Sequence, residues 1–235
     1  MKRTIVLAFV ICLCMPVTAQ VKETIRKILT PSSGLTETDA AAGIREALVK
    51  GTTEGVQIVS KLDGYFGNPE IKIPLPPNAL AMEAKLRSIG LGKQVDKAIL
   101  SMNRAAEDAA KRAKPIFVSA IKKMTITDAL SIVTGADTAA TAYLKAGTYD
   151  SLAAQFQPSI EASLKKVNAT KYWTDIVTLY NELPFVEKIN PDLAGYVTVK
   201  AIDGLFLMIA KEELSIRKDP VARTTAILKK VFGKK

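Results

Sequence analysis

Asn190-Pro-Asp-Leu-Ala-Gly-Tyr-Val-Thr-Val-Lys-Ala-Ile-Asp-Gly-Leu-Phe-Leu-Met-Ile-Ala210 carries the strongest structural signal in the chain. From Leu193 the run is apolar on nearly every side of a helical wheel, with Tyr196, Val197, Val199, Ile202, Leu205, Phe206, Leu207, Met208 and Ile209. A helix without a polar face is one surrounded by other helices. Lys200 and Asp203 interrupt the run, which argues against a membrane span. Asn190 is expected to cap the helix and Pro191 to take its first position, where a missing N–H costs nothing. Residues from about 193 to 217 are thus expected to form the central helix of the fold.

Start and stop signals divide the rest of the chain into further helices. Thr36 and Asp39 form a capping-box pattern, repeated at Thr125 and Asp128. Gly51 and Gly55 either interrupt the first helix or admit a close neighbour. Asn78 is placed to cap a helix ended by Gly90, and the next is expected from about Lys93 to Ala113. Pro115 then opens another. Asp137, then Thr148 or Ser151, are expected to start two short helices, with Pro158 a kink or break in the second. Tyr172 to Leu183 offers Trp173, Ile176, Val177 and Tyr180 to the core. Asp219-Pro220 repeats the cap-then-proline device before a terminal helix. Between Gly64 and Pro77 the prolines forbid a helix, and the alternating Ile71 and Ile73 suit an extended segment laid over the core. The reading is all-α: a single-domain irregular helical bundle around a central apolar helix, with one Pro-rich extended loop at about 64–77.

The N-terminus reads as a secretory signal. Lys2 and Arg3 precede an uncharged apolar run from Ile5 to Met15, and Val17-Thr18-Ala19 presents small residues for cleavage before Gln20. The expected organisation is a signal peptide at 1–19, an N-terminal segment at 20–33 and the helical domain at 34–233, with the mature chain in the periplasm. Cys12 and Cys14 raise lipid anchoring, but Ile11 and Leu13 stand where a small residue would be wanted. Both cysteines leave with the signal, so no disulfide staples the mature chain. The net charge is +10, and removing Lys2 and Arg3 leaves +8. Scattered basic residues fit a solvated surface or an anionic envelope component; nucleic acid is disfavoured by export and by the lack of interleaved aromatic and basic residues.

The residue inventory limits the chemistry. With no histidine in the chain and no cysteine after cleavage, Ser-His-Asp hydrolysis, Cys-His proteolysis and zinc sites built on those ligands are excluded. Neither a phosphate loop nor an Asp-rich calcium loop is visible, and no metal or cofactor is expected. Three polar groupings remain. Asn103, Arg104, Glu107 and Asp108 sit at i,i+4 spacing, so Asn103 shares a face with Glu107 and Arg104 with Asp108. Asp203 lies alone in the apolar helix, where burial would require a cation, with Arg104, Arg223 and Lys200 as candidate partners. Glu212, Glu213, Arg217, Asp219, Arg223, Thr224 and Thr225 gather at the last corner, where Glu213 should pair with Arg217 and backbone N–H groups near Arg223 and Thr224 could hold an anion. Ala105, Glu107, Asp108, Arg112 and Pro115 match the spacing of Ala210, Glu212, Glu213, Arg217 and Pro220. Ordinary helix-end chemistry explains this coincidence; a duplicated helix-turn-helix bringing two acidic pairs together is the sharper alternative.

Several stretches together resemble one family: Thr38-Asp-Ala-Ala-Ala-Gly-Ile-Arg-Glu-Ala-Leu48, Leu100-Ser-Met-Asn-Arg-Ala-Ala-Glu107, Asp203-Gly-Leu-Phe-Leu-Met-Ile-Ala210, Ile216-Arg-Lys-Asp-Pro220, Ala222-Arg-Thr-Thr225 and Lys229-Lys-Val-Phe-Gly233. They are similar to the bacterial exported family catalogued as domain of unknown function 4197, over roughly Gly34 to Gly233. The resemblance implies an envelope location and no assigned activity. Some members look like lipoproteins, a pattern from which this signal departs. The leading expectation is a non-catalytic envelope module binding a protein, lipid or cell-wall component. One alternative is a hydrolase or lyase of envelope glycans with Glu107 or Glu212 as acid and Asp203 tuning charge, and Asn103, Arg104, Arg223 and Thr224 as ligand-binding candidates. The other is a carrier with an apolar cavity beside Phe206 and Met208.

Overall fold

Local chemistry sets the first helix. The Asp39 N–H donates to Thr36 Oγ1 and the Thr36 N–H to Asp39 Oδ2, each at 3.0 Å, closing the expected box before α1, Glu37–Ser60. The computed structural model describes residues 36–166, 169–182, 185–190 and 192–233. The expected signal peptide at 1–19 and N-terminal segment at 20–33 therefore lie outside the described residues, as does Pro191. After α1 come α2 (Leu80–Ser88), α3 (Gly92–Ala110), α4 (Ala113–Lys123), α5 (Ile126–Thr134), α6 (Ala139–Lys166), α7 (Ala169–Asn181), α8 (Leu193–Lys218) and α9 (Ala226–Phe232). Among the described residues there is no strand. The chain is an all-α helical bundle with a central apolar helix, α8.

Three long helices, α1, α3 and α6, pack against α8. Val197, Ala201, Ile202 and Leu205 are fully enclosed, and Phe206 meets Phe117 of α4 edge-on, with centroids 5.8 Å apart at 72°. Gly55 permits the approach of α1: a Cβ there would lie 2.9 Å from Ile209 Cγ1, so the glycine admits a neighbour and does not break the helix. Enclosure of α8 is nevertheless one-sided. Val199, Leu207 and Leu214 are exposed, in line with the charged Lys200, Asp203 and Lys211. Its length and hydropathy would also suit a membrane crossing, but more than half of that window is buried against other helices.

The Pro-rich segment crosses over α8 and α3, turning through residues 62–71 and free of turns only from Lys72 to Pro76. Ile71, Ile73 and Leu75 alternate inward, and Tyr65 is wholly enclosed. The Tyr65 hydroxyl donates to the Ala201 carbonyl at 2.5 Å, and the Tyr196 hydroxyl to the Pro74 carbonyl at 3.2 Å. Burial of the Tyr65 phenol pushes its pKa upward and keeps it a donor. Gly204 marks where loop and helix come closest, since a Cβ there would meet Tyr65 Cε1 at 2.8 Å and Ile71 Cβ at 3.1 Å.

Four sequence expectations are corrected. Asp192, not Asn190, caps α8, accepting from the Gly195 N–H at 2.9 Å, while Asn190 turns the chain by accepting from the Asp192 N–H. Asn78 lies inside a 3₁₀ turn, Pro77–Ala79, and α2 starts without a side-chain cap. Asp219 caps only the 3₁₀ turn Pro220–Ala222; Thr225 caps α9. The fourth concerns α6, one continuous helix through Pro158 where two short ones were expected. Proline removes a single helix bond, costing about 3 kcal/mol. Leu144 and then Leu152, Phe156, Ile160 and Leu164 at four-residue steps, all fully buried, outweigh that loss at about 1.5–3 kcal/mol each.

Two glycines should respond oppositely to alanine. Gly204→Ala is expected to lower stability by about 1–3 kcal/mol through overpacking against Tyr65. Gly147→Ala meets nothing within 4 Å and is expected to raise it by about 0.5–1 kcal/mol through helix propensity. Urea unfolding followed by circular dichroism measures both.

Candidate functional site

The sequence-selected polar residues are largely engaged by the chain's own backbone. Asn103 is fully buried on α3; its Oδ1 accepts from the Ile73 N–H at 2.8 Å and its Nδ2 donates to the Ile73 carbonyl at 2.9 Å, imitating the pairing of a neighbouring strand. Glu107, one helical turn on, accepts from the N–H groups of Tyr65 and Phe66 at 3.1 and 3.3 Å and from Arg104 at 2.7 Å. Arg104 bridges Glu107 to Asp63, also at 2.7 Å, and not to Asp108 as the spacing suggested. Asp108 pairs instead with Lys111, whose hydrogen bond holds its carboxyl below the ordinary range. Asn103 and Glu107 together pin both ends of the loop crossing.

Glu213 plays the matching role on α8. It accepts from the N–H groups of Ala140 and Thr141 at 3.0 and 2.8 Å, capping α6 from another helix, and pairs with Arg217 as expected, at 2.8 Å. Sequence spacing aligns Glu107 with Glu212 and Asp108 with Glu213, yet Glu107 and Glu213 are the buried backbone acceptors. The two stretches therefore do not place their acids alike.

Asp203 is the clearest correction. It is 46% exposed and paired with Lys145 at 3.1 Å, so it is neither a buried acid nor a partner of Arg104, Arg223 or Lys200. It lies on the outer side of α8, where a charge keeps its water. Arg223 donates to the carbonyls of Ile216 and Arg217 at 2.9 and 2.7 Å, closing the end of α8 rather than presenting its charge to an anion. Thr224 is exposed and accepts from Lys50 at 3.4 Å. Phe206 packs on Phe117, and the small cavity between Ile44, Ile209 and Phe232, which neither Phe206 nor Met208 lines, measures about 20 Å³. That is room for about one water.

Glu212 has a partner the sequence did not reveal. Its carboxyl shares a hydrogen bond with Glu54 of α1 beside Lys50; burial and the Glu54 charge push its pKa up to about 7, against the pull of Lys50. The pair follows from the packing of α1 on α8, where even a Cβ added at Gly51 would sit in ordinary contact, 3.6 Å from the Glu212 Cβ.

The open space lies elsewhere, between α3 and α4 on one side and α6 on the other. Two depressions of about 610 and 730 Å³ meet at Arg112 and Gln155. Small side chains keep them open: Ala105 and Ala162 in one, Ala120, Gly147 and Ala154 in the other. Pro158 has no N–H to give the Ala154 carbonyl, so a backbone acceptor is freed in the wall. Ser159 lines the first depression, and its Oγ has no hydrogen-bond partner although the residue is only 6% exposed. Leaving such a group unmet costs about 1–3 kcal/mol. Arg104, Arg112, Lys123 and Lys166 face the groove with Asp108 as the one carboxylate among its lining residues. Arg112 and Pro158 carried weak sequence signals as a late helix basic residue and a helix interruption. The groove itself required α6 to continue past the proline, which no local signal showed.

The Glu54–Glu212 pair has a pH consequence. A carboxyl whose pKa rises from 4.5 to about 7 on folding binds its proton more tightly in the native state, so its contribution falls as pH climbs between those values. The urea midpoint is expected to decline across that window, and Glu212→Gln to flatten the decline. A wild-type profile identical to that of the variant would dismiss the shared proton.

Comparison with known proteins gives no curated protein and no solved structure that matches. The motif stretches noted in the sequence do find a family-wide match, over residues 34–233, and by that match the chain belongs to the family described as protein of unknown function DUF4197.

Proposed function

We propose that this protein is a non-catalytic binding module of the bacterial cell envelope, exported by its N-terminal signal, that takes its ligand in the groove between α3, α4 and α6. The observation that carries this reading is the groove: an open, cation-rich trough with a buried unmet hydroxyl, beside a core otherwise closed. Binding needs convergent donors on a rigid frame, and helices supply that frame. Catalysis by carboxylates finds less support. Glu107 is held by two backbone N–H groups and Arg104, and Asp203 by Lys145 on an outer face. Glu54 and Glu212 share a hydrogen bond, an arrangement that leaves no space between them for the sugar and water that glycoside hydrolysis places between its acids. The carrier reading has no observation in its favour beside Phe206, which is filled by Phe117.

Groove filling tests the proposal. Native mass spectrometry of the full chain purified from its own periplasm is expected to show a retained molecule. Ala162→Trp, which puts a large side chain on an exposed groove wall, should lose that molecule while keeping the helical circular-dichroism spectrum. A bare wild-type chain, or a retained molecule indifferent to Ala162→Trp, would count against the groove.

A further inference from the structure

Resting on the groove as the binding surface, we infer that its occupant is an extended anionic glycan: a polyhydroxylated chain bearing carboxylate or phosphodiester groups, gripped at Arg112 and hydrogen-bonded along α6. Three observations carry this further. The first is charge. Arg112, Lys123 and Lys166 form no salt bridge among the described residues, and the lone carboxylate of the groove lining, Asp108, is matched by Lys111 at 2.9 Å, with Arg112 acting on it only at longer range. Arg112 stands where the two depressions meet, so its planar guanidinium reaches an anion bound in either.

The second is shape. The lining of α6 runs from Gly147 to Lys166, about 28 Å at about 1.5 Å per residue. A trough of that length suits a linear chain and leaves a small ion mostly unheld. Because it is concave between helices, a flat bilayer surface cannot bring its headgroups to the floor. The third is the kind of polar partner offered. Ser119, Ser151 and Gln155 lie along the walls, with Ser159, whose buried Oγ lacks a partner, in the first depression and Ala154, whose carbonyl Pro158 leaves without its helix bond, in the second. Hydroxyl and amide groups alternating with cations match a polyol that carries spaced negative charges. No aromatic residue lines either depression, so nucleic-acid bases have nothing to stack on. There is no strand edge here for a peptide backbone to extend.

The test uses the full mature chain in calorimetric titrations against polygalacturonate, poly(glycerol phosphate), neutral dextran, polyglutamate and phosphatidylglycerol vesicles. One or both of the first two should bind, weakening as salt is raised, and dextran should not. Arg112→Ala is expected to weaken that binding at least about tenfold and to reduce its salt dependence. Ser159→Ala is expected to weaken it about three- to tenfold with the salt dependence unchanged, because a neutral hydroxyl displaces no counterion; a purely structural role for Ser159 would leave affinity alone. Ala162→Trp should abolish it. Equal binding of dextran, tighter binding of polyglutamate or vesicles, or an inert Arg112→Ala would overturn the anionic glycan. If the anionic polymers bind but ignore Ala162→Trp, the groove itself is the wrong surface. If Ala162→Trp blocks a neutral polymer instead, the groove stands and the charge argument fails.

Discussion

Removal of the α8 side chains from water is the interaction on which this structure depends. Val197, Ala201, Ile202, Leu205 and Phe206 are enclosed by α1, α3, α4 and α6. The chain has only two cysteines, Cys12 and Cys14, both outside the helical domain, so burial and hydrogen bonding carry the fold. The loop crossing is tied to the same helix: Tyr65 reaches the Ala201 carbonyl, and Gly204 makes room for its ring. Where α8 turns outward, Asp203 and Lys145 stay half exposed, and a surface pair of that kind adds little to stability.

Buried carboxylates are used here as backbone acceptors. Glu107 satisfies the N–H groups that the chain leaves open after α1, and Glu213 satisfies those at the start of α6. Each is joined by an arginine, Arg104 or Arg217, which compensates the charge at the margin of the core. A helix start buried against another helix needs such a partner, because water cannot reach its donors. This accounts for acids and arginines so close to an apolar core without invoking catalysis. Arg112, Lys123 and Lys166, which line the open groove, have no such duty.

The groove is a by-product of how α6 packs. One side of that helix presents Leu152, Phe156, Ile160 and Leu164 to the core; the other presents Gly147, Ala154 and Ala162 toward α3 and α4. Large residues at steps of four anchor the helix through Pro158, and small ones on the adjoining side leave space above it. A proline inside such a helix leaves an acceptor where a ligand can use it, while the buried row prevents the break that proline alone would cause.

Sequence by itself determined the features governed by near neighbours: the all-α class, both capping boxes, the non-helical crossing with Ile71 and Ile73 inward, the apolar central helix and the Glu213–Arg217 pair. These depend on periodicity, on proline's missing donor, or on groups three or four residues apart. Tertiary structure decided which acids are buried, what they hold, and where the surface stays open. Asp203 was misjudged because its neighbours in sequence are apolar while its side of α8 is not covered. Glu212 meets Glu54 across 158 residues of chain because α1 packs along α8. The continuity of α6 was decided by burial spread over five residues, a sum that no single turn signal contains.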